Sequence, residues 1–80
     1  MAVTILFLGP LRDLAGEESR EVAAPLDWQG LLDVVGPQVA EQLEQERVNI
    51  ACAGQVLSDK RSLSAQNGDE IALLPPVSGG

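Results

Sequence analysis

The sequence contains no histidine and a single cysteine, Cys52. Without histidine, neither a serine–histidine nor a cysteine–histidine catalytic pair can be assembled. One thiol forms no internal disulfide and no zinc site. It also falls short of the four thiolates that a plant-type iron–sulfur cluster needs, so no bound metal or cofactor is expected. Positive charge is scarce as well: 5 Lys and Arg stand against 12 Asp and Glu, for a net charge of −7. Nucleic acid wants a basic face, so neither it nor an anionic membrane is an expected partner. A protein with a basic docking surface is. No apolar run approaches the ~18 residues of a membrane span. The start, Met1-Ala2-Val3-Thr4, lacks the basic residues of a signal peptide. The expected location is cytoplasmic.

What is present fits one small α+β domain. A chain of 80 residues buries only about 60–65% of its unfolded surface, which leaves little room for a private active site. Val3–Leu8 is a β-branched and aliphatic run stopped by Gly9-Pro10, and it predicts a first strand. Period two sets Val3, Ile5 and Phe7 on one face and Thr4, Leu6 and Leu8 on the other. Leu11–Ala15 reads as a connector of about one helical turn, and Ser19–Ala23 as a more polar second strand. Asp27 is an N-cap candidate, followed by Trp28, Leu31, Leu32 and Val35 at helical spacing. Gly36-Pro37 breaks that helix. A second piece over Val39–Glu46, with only Val39, Ala40 and Leu43 apolar, reads as a weak surface helix. Asn49–Ala53 and Gln55–Leu57 predict two further strands around Gly54. Ser58–Gln66 reads as a loop anchored by Leu63. Asn67-Gly68-Asp69 is a turn, and Glu70–Leu74 is the last strand, placed centrally beside the first. One helix packed across such a mixed sheet is the β-grasp, or ubiquitin-like, arrangement.

The end of the sequence carries the chemistry. Pro75-Pro76 has no N–H to give the sheet ladder, so the domain is expected over 1–76. Val77-Ser78-Gly79-Gly80 then forms a free tail, reaching roughly 13 Å if extended. A terminal carboxylate is a poor electrophile and must be activated, typically as an acyl-adenylate, in a narrow site that excludes water. Glycine has no Cβ, so Gly79-Gly80 can thread such a site. The activated carbonyl of Gly80 is then open to a sulfur nucleophile or to an amine.

Asn67–Gly80, with its Pro75-Pro76-Val77-Ser78-Gly79-Gly80 ending, resembles the C-terminus of the MoaD family, the small subunits of molybdopterin synthase. Phe7 followed by Leu11-Arg12-Asp13-Leu14-Ala15-Gly16 is similar to that family's first-strand and loop signature. The family differs in more often having Glu at the position of Asp13, and Asn where Ala53-Gly54 stands. The resemblance implies a sulfur carrier without an active site of its own. An E1-like enzyme, using ATP, would adenylate Gly80, and a sulfurtransferase system would convert it to a thiocarboxylate. A large catalytic subunit would take in the tail and build the molybdopterin dithiolene. The alternatives are a sulfur carrier for thiamine, whose chains are usually shorter and lack the Pro-Pro-Val-Ser tail and the second helical piece, a sulfur carrier for another pathway, a ubiquitin-like modifier joined to lysines, and a binding module with an inert tail.

Other residues have two readings each. Cys52 shares a strand face with Ile50 and is expected in the core, against a role in persulfide relay. Arg12 with Asp13 forms either a docking pair or a solvated loop pair. Lys60-Arg61 interrupts an acidic surface. Glu41, Glu44 and Glu46 fit a solvated helix face. Leu6, Leu8 and Leu74 fall on the sheet face opposite the helix, beside the tail segment Pro75–Ser78, and such a cluster marks a partner-binding surface.

Overall fold

Alternating apolar residues make Ala2–Phe7 the strand β1, and every second one, Val3, Ile5 and Phe7, is buried. The computed structural model describes residues 1–76, and the expected tail Val77–Gly80 lies outside them. The chain continues through α1 (Pro10–Ala15), β2 (Ser19–Ala23), β3 (Leu26–Asp27), α2 (Trp28–Val35) and α3 (Pro37–Leu43). It then runs through β4 (Asn49–Cys52), β5 (Gln55–Val56), a 3-10 turn (Lys60–Ser62), β6 (Ser64–Ala65) and β7 (Glu70–Leu74). The main sheet has the order β2-β1-β7-β4-β5. β1 pairs antiparallel with β2 and parallel with β7, while β4 pairs antiparallel with β7 and with β5. This is the β-grasp arrangement, with the last strand at the centre beside the first.

The helices cover one face. Val3, Ile5, Phe7, Ile50, Ile71 and Leu73 point into the core, and their neighbours along each strand are partly or fully exposed. Leu31 and Val35 of α2 meet them, with Trp28 and Leu32 packed at the margin. The carboxylate of Asp27 accepts from the N–H of Gly30 at 2.8 Å, the expected N-cap. Leu63 is buried and anchors the segment after β5.

Three expectations need correction. The helix after Gly36-Pro37 is not a surface element: Val39 and Leu43 are buried in the core, with α3 packed against α2 and α1. A stripe only two residues wide suffices because the helix closes the end of a thin core. Ser58–Gln66 is not simply a loop, since it contains the 3-10 turn and β6, which pairs with β3. Two-residue ladders carry no readable period. Cys52 faces the core side, paired in register with Ile71, but it is only partly buried because the sheet narrows to the β4–β5 hairpin there.

Two cations stitch the layers. Arg20, on the inner face of β2, lies 5.6 Å from the centroid of the Phe7 ring. Its Nη1 donates to the carbonyl of Val34 at the end of α2, where a helix favours positive charge. Lys60 Nζ donates to the carbonyls of Gln45 and, at 2.9 Å, Val48, tying the 3-10 turn to the segment after α3.

Leu43→Ala should therefore lose about 2–5 kcal/mol in urea unfolding. A loss within about 0.5 kcal/mol, as at a surface site, would return α3 to the periphery.

Candidate functional site

The site is the root of the tail and the uncovered sheet face around it. Parallel pairing sets Phe7 opposite Leu73, so the residues after β1 and after β7 leave the sheet side by side. Leu8 is exposed at 41% and Leu74 is partly buried. On the other side Asn49 of β4 stands opposite Leu74. Pro75 is partly buried and Pro76 exposed.

Gly9 sits against this root. Its backbone has φ of +56° and ψ of −135°, a conformation essentially restricted to glycine. A Cβ placed there would lie 3.3 Å from Pro75 Cγ. Gly9 thus lets the turn into α1 pass closely by the first proline. Sequence reasoning used Gly9 only as a strand stop; its place directly after β1 and before a proline was the available signal.

The outer face is more extensive than Leu6, Leu8 and Leu74. Leu6 pairs with Ala72, Ala72 with Ala51, and Ala51 with Val56, so one apolar row crosses four strands. Val56 is 61% exposed, and Leu6, Ala72 and Ala51 are partly buried. The β4–β5 hairpin register brings Ala51 and Val56 in, and that register was not legible from so short a strand. One step further from the tail, Thr4 stands between Glu21 and Glu70. The face therefore runs from acidic to apolar to the tail root.

The remaining candidates lie elsewhere. Arg12 pairs with Glu18 at 3.5 Å, both well exposed, rather than with Asp13. Cys52 Sγ is 4.0 Å from Asp69 Oδ2. Burial, and secondarily the Asp69 carboxylate, push its thiol above the ordinary cysteine range, so it stays protonated at neutral pH and is a poor nucleophile. Val77, Ser78, Gly79 and Gly80 lie outside the described residues. Among the described residues, no group of three or more His, Cys, Asp or Glu could hold a metal, and no helix is long and apolar enough to cross a membrane.

The ThiS family model matches residues 5–80, so the chain belongs to the ThiS family. It is 28% identical to the molybdopterin synthase sulfur carrier subunit of Dictyostelium discoideum, over 95% of this chain and 93% of that protein. Among solved structures it resembles the complex of subunits 1 and 2 of the molybdopterin-converting factor of Helicobacter pylori, with TM-score 0.66, 28% identity and full coverage of both chains. SAMP1 of Haloferax volcanii shares the fold, with TM-score 0.73, 24% identity and full coverage of both.

Two outcomes follow from the geometry. Gly9→Ala should destabilise by roughly 1–3 kcal/mol through its backbone alone; an unchanged urea midpoint would mean the turn relaxes freely. Cys52 should alkylate more slowly than free cysteine at neutral pH, with its labelling midpoint displaced to the alkaline side. Labelling as fast as free cysteine would refute a shielded thiol.

Proposed function

We propose that this ThiS-family chain is the sulfur-carrying small subunit of a molybdopterin synthase. The observation that carries the reading is the fusion of three features at one place: a central last strand, a Pro75-Pro76 stop, and a sequence running on to Gly79-Gly80. In this reading an E1-like enzyme joins the AMP part of ATP to the Gly80 carboxylate, and pyrophosphate leaves. Hydrosulfide supplied by a sulfurtransferase system then attacks the carbonyl carbon, AMP leaves, and a thiocarboxylate remains. The chain performs no catalysis itself. It serves as a tethered substrate, and tethering raises the local sulfur concentration at the acceptor. The names of the Dictyostelium discoideum and Helicobacter pylori relatives support molybdopterin as the product and a larger subunit as the partner.

The outer face gives that partner something to hold. Leu6, Leu8 and Leu74 are the anchors, with Pro75–Ser78 guiding Gly79 and Gly80 inward. A few desolvated apolar anchors carry most binding energy, and the acidic surroundings speed encounter with a basic partner. A thiamine-pathway carrier is the second reading, since the family match leaves it standing. The helix α3 and the Pro-Pro-Val-Ser segment weigh against it.

Protein isolated from a sulfur-transfer-competent cell should show an intact mass raised by the exchange of one oxygen for one sulfur, mapping to Gly80. Transfer-competent cells that yield only the carboxylate would remove the carrier role. Leu74→Asp should leave the domain folded and weaken binding to the large subunit at least tenfold, as loss of a central anchor does. Normal affinity would mean the tail alone holds the two proteins together.

A further inference from the structure

We infer that Lys60 is withheld from acylation, so that the chain's one lysine does not receive another copy's tail, an inference that rests on the activation of Gly80 proposed above. Lys60 is the only lysine in the sequence; the other cationic side chains are Arg12, Arg20, Arg47 and Arg61. A guanidinium stays protonated throughout the physiological range and offers no lone pair to an acyl carbon. Every cationic side chain but one is thus a group that an activated carbonyl cannot modify.

The exception is tied down. Lys60 Nζ donates to the carbonyls of Gln45 and, at 2.9 Å, Val48. The indole of Trp28 lies on another side, its centroid 6.0 Å from Nζ. Glu46, Val48, Asn49, Leu57, Ser58 and Asp59 line the recess around it, together with Arg61. Burial and then Arg61 lower the pKa of Lys60 against the opposing Glu46 and Glu44, which leaves more of the amine neutral, so its charge does not restrain it. Hydrogen bonding does. For a second copy to be joined here, the amine must attack the Gly80 carbonyl of an acyl-adenylate. The C–N bond forms, the bond to AMP breaks, and one proton passes to solvent. The amide that results has one N–H for two carbonyls, so either Gln45 or Val48 loses its partner. Attack also requires Nζ to leave both carbonyls, and that adds the cost of breaking those hydrogen bonds.

The biological sense is protection of an energised intermediate. A freely exposed lysine would divert sulfur carriers into cross-linked dimers.

Two arms test this. In the first, the folded chain is treated with sulfo-N-hydroxysuccinimide acetate, digested at glutamates, and Lys60 acetylation is followed by mass spectrometry. Lys60 should react roughly tenfold or more slowly than N-α-acetyl-lysine amide, with the difference abolished in guanidinium chloride. Reaction at the free rate in the folded state overturns the proposal. In the second, the chain is incubated with an E1-like adenylating enzyme, Mg-ATP and hydroxylamine. A Gly80 hydroxamate without a Lys60–Gly80 dimer supports it, and a Lys60-linked dimer overturns it. If no hydroxamate forms, the activation of Gly80 is what fails, and the acetylation arm still decides the status of Lys60.

Discussion

The parallel pairing of β1 with β7 brings together residues 66 positions apart in sequence, and the rest of the molecule is arranged around it. Ile5 against Ile71 and Phe7 against Leu73 set the register on the core side. Polar bonds fasten the far end: Asn67 Oδ1 accepts from the N–H of Ala2 at 2.9 Å, Gly68 N–H donates to Ala2 O at 2.8 Å, and Thr4 N–H donates to Asp69 O at 3.1 Å. A parallel neighbour needs a long crossover, and α2 and α3 lie within the segment that joins the two strands. With one strand on each side, β7 has no free edge, so its direction and its exit point are both fixed. A slip of one residue would turn Ile71 and Leu73 to solvent and bring Ala72 and Leu74 inward.

That central pairing was legible from composition because both strands have strong patterns. Val3-Thr4-Ile5-Leu6-Phe7 and Glu70-Ile71-Ala72-Leu73-Leu74 each offer a clear apolar set, and Gly9-Pro10 and Pro75-Pro76 end them chemically. Asp27 declared its cap because the following apolar residues keep a strict helical spacing. The weaker elements gave less. In α3 the alternation of Gln38, Glu41 and Glu44 around Val39 and Leu43 looks like a solvated helix. Its burial depends on how much core α2 leaves uncovered, and that is a tertiary quantity. β3 and β6 are two residues each, and no local pattern announces a bridge between segments so far apart in sequence. Cys52 illustrates the same limit: its face was readable, its depth was not, since depth depends on where the sheet runs out.

At the candidate site the division is similar. Leu6, Leu8 and Leu74 could be placed on one face by counting along strands. Ala51, Ala72 and Val56 join them only through cross-strand register. Gly9 meets Pro75 through the parallel pairing, a contact between positions that no local window spans. The candidate surface is thus a product of pairing more than of any single segment.

A domain this small can bury one face of its sheet and no more, because the helices available cover only the side of Val3, Ile5 and Phe7. The exposed side then has to be either polar throughout or reserved for a partner. Here it is graded. Thr4 lies between Glu21 and Glu70 at the end away from the tail, and like charges there repel stray copies of the same acidic chain. The row of Leu6, Ala72, Ala51 and Val56 follows, with small alanines at its centre that keep it flat and let another backbone come close. Leu8, Leu74 and Asn49 finish the face at the root of Pro75. The same pairing that builds the core therefore also fixes the point at which Pro75 leaves the sheet.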